Sequence, residues 1–114
     1  MSDVIVAIGK TRSRVSNGSR VLAGVDGRSK EARRYRDVMD GYIVQFDATE
    51  EAELSLCRRA AGLAVWLEQQ ESLVAKGAPI DIGAMTTASN AHRRLLRDLA
   101  ASKRARQRAR RVSA

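Results

Sequence analysis

The run "AELSLCRRAAGLAVWLEQQESLVAK", residues 52–76, with Gly77 and Pro79 directly behind it, constrains the chain more than any other feature. Leu56, Ala60, Leu63, Leu67, Gln70 and Val74 recur at spacings of three and four, with Trp66 and Leu73 beside them, which is the period of one helix face. Asp47 followed by Glu50 makes a capping-box pattern, with Thr49 as a rival cap, and Glu50, Glu51 and Glu53 suit the positive end of a helix. At the other end Lys76 sits in the last turn, Gly77 at the left-handed position past the helix, and Pro79 just beyond. The pattern predicts a helix over 49–76, a rod of about 40 Å at about 1.5 Å per residue. Because the stop is sharp and the linker short, the next helix should fold back antiparallel.

That next helix follows Asp81 or Thr86 and is expected over 82–102. Ala84, Ala88, Ala91, Leu95 and Leu99 form one row, and Met85, His92 and Leu96 a neighbouring one. A first helix is expected over 29–46. Ser29 is its cap, Glu31 stands in its first turn, and Ala32, Tyr35, Met39, Tyr42, Ile43 and Phe46 draw its apolar stripe. Gly41 weakens this helix by about 1 kcal/mol relative to alanine, which suggests a close contact there. The fold class is therefore all-α: a helical hairpin or three-helix bundle over 28–102, flanked by an irregular N-terminal arm and a basic C-terminal tail, 103–114. The arm, residues 1–27, carries turn signals at Asn17-Gly18 and Asp26-Gly27. "VIVAI" could make a short strand there but has no partner strand. The tail begins "KRARQRARR"; it could extend the third helix when bound, but alone self-repulsion should leave it frayed or disordered.

Composition bears on what such a bundle can do. The chain has 114 residues, and 18 of them are alanine, so the larger apolar side chains make a thin core. A partner or self-association should complete it. Candidate core and oligomer residues are Tyr35, Met39, Tyr42, Phe46, Leu56, Leu63, Trp66, Leu67, Leu95 and Leu99. The formal charge of +8 is unevenly placed: residues 103–111 alone contribute +6, whereas residues 47–76 sum to −3. Such asymmetry points to a polyanionic partner, most simply nucleic acid. The apolar run Val4–Ile8 is too short for a signal peptide or a membrane span. Cys57 is alone, with no disulfide framework. A cytoplasmic protein is expected, with no membrane partner.

No catalytic set, cofactor site or metal site is visible. "AIGKTRS" ends like a phosphate-binding loop at Gly9, Lys10 and Thr11, but the required earlier glycine is Val4, and no parallel sheet supports it. His92 is the only histidine and has no ligand-spaced companions, so it reads as a partly buried helix residue. Cys57 beside Arg58 and Arg59 reads as a half-buried helix cysteine. Glu50, Glu51 and Glu53 read as helix-start chemistry. A helix-turn-helix made of the first two helices is disfavoured, because it would drive three glutamates towards phosphates.

Two basic zones remain as candidate DNA contacts. One comprises Lys10, Arg12, Arg14, Arg20, Arg28, Arg33 and Arg34. The other comprises Lys103, Arg104, Arg106, Arg108, Arg110 and Arg111. No stacking aromatics interleave with them, so backbone contact to duplex is favoured over single-strand stacking.

Three segments in order carry a resemblance: "SRVSNGSRVLAGVDGRSKEARRYRD", "EAELSLCRRAAGLAVWLEQQES" and "SNAHRRLLRDL". The chain from about 12 to 99 resembles small helical proteins of bacteriophages and prophages described as terminase small subunits or terminase-like. "VDGRS" before an arginine-rich helix is the most specific element. The resemblance implies a non-catalytic factor in viral genome packaging, acting in the bacterial host cell. Such subunits form rings, bind phage DNA where packaging starts, and regulate a terminase large subunit that holds the ATPase and nuclease. The chain departs from the family in lacking a clear N-terminal helix-turn-helix, which leaves site-specific reading without an obvious element. The alternatives are a small helical nucleic-acid-binding regulator and a protein–protein module such as an antitoxin.

Overall fold

The structure, a computed structural model, describes residues 29–113. It contains three helices: α1 over Lys30–Gln45, α2 over Glu51–Ala75 and α3 over Ile82–Ser113. No strand occurs among the described residues. The chain divides into two compact units between Asp37 and Val38, inside α1. The expected arm, residues 1–27, lies outside the described residues, and with it Lys10, Arg12, Arg14 and Arg20; Arg28 does too.

Within the first unit, α1 starts as its sequence suggests. The Ser29 hydroxyl oxygen accepts the N–H of Ala32 at 3.1 Å, satisfying one of the donors a helix start leaves over. Ala32 and Tyr35 are buried, while Arg33 and Arg34 are exposed.

The second unit is an all-α three-helix bundle built from the remainder of α1 with α2 and α3. Both helix-to-helix corners are made by the same device. At the end of α2, Gly77 takes φ 75°. Its N–H bonds to the Val74 carbonyl at 3.0 Å, and that of Ala78 to the Leu73 carbonyl at 2.9 Å. At the end of α1 the left-handed residue is Asp47, at φ 52°. Its N–H bonds to the Val44 carbonyl at 3.3 Å, and that of Ala48 to the Ile43 carbonyl at 3.0 Å. Aspartate is one of the few side chains that tolerate this conformation.

This use of Asp47 corrects the expected start of the second helix. Asp47 closes α1 and cannot also cap α2, and Thr49 does not cap it either. Glu50 is the N-cap, in extended conformation. The side chain of Glu53 reaches back, its Oε1 accepting the N–H of Glu50 at 3.2 Å and of Thr49 at 3.4 Å. For α3 the start is Asp81, whose Oδ1 accepts the N–H of Ala84 at 2.9 Å.

Helices α2 and α3 form an antiparallel hairpin. Arg59 and Leu63 of α2 line a groove with Arg94, Leu95 and Asp98 of α3. One turn on, Trp66 lies opposite Asp81, Ala84 and Ala88. The most buried residues of α2 are small ones, Cys57, Ala60 and Ala61, at 0% exposure, and among the described residues Leu99, at 1%, is the most buried of the larger side chains. Small side chains on a facing surface let helix axes approach closely. Met39, Phe46 and Ala48 complete the core of this unit. Gly41 does not mark a close contact: it is exposed, and a Cβ added there would meet nothing within 4 Å.

The largest departure lies at the C-terminus. The basic segment is not a frayed tail; α3 continues through it to Ser113. Self-repulsion among its cations is offset by partners on the α1–α2 corner.

Candidate nucleic-acid interface

The row that carries Leu99 inward on α3 continues as Lys103, Arg106 and Arg110, at the same spacings of three and four. These cations meet the end of α1, where the last carbonyls lack helical donors and carry the negative end of the helix dipole. The Lys103 ammonium donates to the Gln45 carbonyl at 2.7 Å. Arg106 Nη2 donates to the carbonyls of Phe46 and Asp47, both at 2.6 Å. Arg110 Nη2 bonds to Asp47 Oδ2 at 3.1 Å. The carbonyls of Tyr42, Ile43 and Val44 are already taken by backbone N–H groups of the corner. The cations therefore reach the oxygens that the corner itself leaves over.

Arg106 does more. Its Nη1 pairs with Oε2 of Glu53, which is 6% exposed. The two oxygens of Glu53 thus divide their work: one holds the start of α2, the other holds α3 through Arg106. A buried carboxylate needs such partners, since an unpaired charge away from water is strongly unfavourable. Arg106 Nε is buried without a hydrogen-bond partner.

The remaining cations of the segment stand differently. Arg104, Arg108 and Arg111 are exposed and lie on the side of α3 away from Arg106. Of the six cations predicted to touch DNA from this segment, three are engaged within the protein and three point to solvent. Sequence reasoning missed the engaged set and its carboxylate, Glu53. The available signal was the continuation of the apolar row of α3 into the basic run without a break in period.

The predicted core and oligomer residues separate in the same way. Tyr35, Met39, Phe46 and Leu99 are buried. Tyr42, Leu56, Leu63, Trp66, Leu67 and Leu95 are only half-buried. Tyr42 and His92 join α1 to α3: the Tyr42 hydroxyl and His92 Nε2 are 2.9 Å apart. Burial pushes the His92 pKa below its ordinary value, favouring the neutral ring. Burial also pushes the Cys57 thiol up, against a smaller lowering by Arg58. Both effects disfavour the charged forms, the imidazolium and the thiolate. Among the described residues no three His, Cys, Asp or Glu side chains cluster to hold a metal. Nor is any described helix long and apolar enough to cross a membrane.

No protein-family model, curated protein or solved structure matches the chain.

Proposed function

We propose that the protein is a non-catalytic DNA-packaging factor of the phage type, similar to a terminase small subunit. On this reading it self-associates, binds DNA, and regulates a large subunit that holds the ATPase and nuclease. The observation that carries the reading is the ordered basic end of α3. A helix held in place by Lys103, Arg106 and Arg110 presents further arginines to solvent without having to fold on its partner. The sequence resemblance supplies the packaging role. Self-association is supported by the thin core and by half-buried Leu56, Leu63, Trp66 and Leu67 along α2.

The test combines subunit count, by sedimentation or light scattering, with duplex binding, with a search of the adjacent gene for a large ATPase-nuclease, and with ATP hydrolysis by a terminase large subunit in the presence of this protein. A closed ring that binds duplex and changes the hydrolysis rate is the expected result. A dimer that binds DNA and leaves the ATPase untouched would instead make it a small regulator. Absence of any nucleic-acid affinity at low salt would make it a protein–protein module.

A further inference from the structure

The side of α3 that faces away from the bundle carries its own arginine row, and that row begins well before the basic segment. At 3.6 residues per turn, Arg93, Arg97, Arg104, Arg108 and Arg111 fall within about 60° of one another around the axis. All five are exposed. The row is about 27 Å long at about 1.5 Å per residue. The residues between them on this side are Ala100, Ala101 and Gln107, none of them acidic. The neighbouring acid, Asp98, touches the row only through Arg97 Nε at 3.9 Å, and Arg93 donates to Asn90 at 3.3 Å.

We propose that these five arginines form a preformed surface for the phosphate backbone of duplex nucleic acid, while Lys103, Arg106 and Arg110 hold the helix in place and do not touch it. The proposal rests on the DNA-binding reading above and deepens it. Arginine forks bind phosphate oxygens with two parallel hydrogen bonds. A row that long spans several phosphates, and contacts of this kind position a protein without reading bases. There is no aromatic side chain in the row, so single-stranded bases have no stacking platform. A membrane surface is a poor fit, because the opposite face of α3 is packed in the bundle and Val112 is the one large apolar side chain exposed along this length.

The experiment uses the full chain and a random-sequence DNA duplex, with binding followed by fluorescence anisotropy over a salt series. One variant replaces the outer row, R93Q/R97Q/R104Q/R108Q/R111Q. The other, K103Q/R110Q, removes inner cations and spares Arg106. Circular dichroism confirms that each keeps its helix content. For every phosphate the protein no longer neutralises, the plot of log affinity against log salt should flatten by about 0.9. The outer variant should therefore lose about 4 to 5 units of slope, and the inner variant less than about one. If wild type binds and the outer variant keeps its slope, or if both variants lose slope in proportion to charge removed, the division by face is wrong while the DNA reading stands. If wild type shows no duplex affinity at low salt, both fall. Binding of polyglutamate or of anionic vesicles with the same loss in the outer variant, and none to duplex, would assign the row to a different partner.

Discussion

The guanidinium of Arg106, in the last third of α3, pairs with the carboxylate of Glu53 in the first turn of α2. The same guanidinium donates to the carbonyls of Phe46 and Asp47, so one side chain joins the end of α1, the start of α2 and the C-terminal part of α3. Arg106→Ala would leave Glu53 buried with one oxygen unpaired. The expected loss of stability is about 3 kcal/mol, the low end for a broken buried pair because Arg106 keeps some contact with water. Arg106→Lys should recover only part of it, since one ammonium cannot span three acceptors set around a planar fork. Urea unfolding measures both, and helix content by circular dichroism should fall in the alanine variant as the end of α3 frays. A loss below about 1 kcal/mol would place the pair with ordinary surface bridges.

At Asp47 the prediction turns on backbone conformation. Its φ of 52° is left-handed, where a β-branched side chain is strained. Asp47→Val should lower stability by about 2 kcal/mol. Asp47→Gly should be close to neutral, because relief of the backbone offsets the loss of the exposed pair with Arg110. Equal losses in the two variants would mean that the carboxylate, not the conformation, sets the residue.

The contrast between the two corners shows what the sequence makes legible. Gly77 with Pro79 announces a left-handed stop, because those residue types have few other uses at that spacing. Asp47 performs the same task at the end of α1 but reads equally well as a cap for α2, and only the backbone decides between them. The long helices were legible from their period. The inner face of α2 was not: leucines dominate a hydrophobic pattern, yet the close approach to neighbouring helices seats Cys57, Ala60 and Ala61 deepest. The basic segment shows a similar limit. Composition predicts repulsion, and only the fold reveals that the cations at every third or fourth position, Lys103, Arg106 and Arg110, meet a carbonyl or carboxylate from residues more than fifty positions away.

Cys57 gives a probe of that close packing. It is 0% exposed, and burial pushes its thiol up. A thiol-specific reagent should therefore label the native protein only as fast as it opens, and much faster in denaturant. Labelling of Arg106→Ala should be faster than that of wild type under native conditions, in step with its loss of stability. Fast labelling of the wild-type protein in plain buffer would contradict the buried seam.

His92 should make stability fall with acid. Above about 6.5, the ordinary histidine value, it is neutral in both the folded and unfolded chain. As pH drops below that, the unfolded chain takes up its proton first, because burial lowers the value in the folded one. Stability from this group is thus full above the unfolded value. It declines as pH falls towards the lowered folded value and then levels off. His92→Gln keeps a hydrogen-bonding group near Tyr42 and removes the titration. The stability difference between wild type and variant, measured by urea unfolding from pH 8 to pH 5, should shift against wild type as pH falls. A shift in the opposite direction would mean that charged His92 is favoured in the fold.

Gly41 offers a gain in stability. It lies inside α1, its φ is not left-handed, and an added Cβ would meet nothing within 4 Å. Glycine there carries the full backbone entropy of an unfolded chain and supplies no packing or turn in return. Gly41→Ala should therefore raise stability by about 0.5–1 kcal/mol, which for a domain of this size is a rise in melting temperature of about 2–8 °C. Thermal denaturation followed at the helix signal reads this directly. A lower melting temperature would contradict the open space around Gly41.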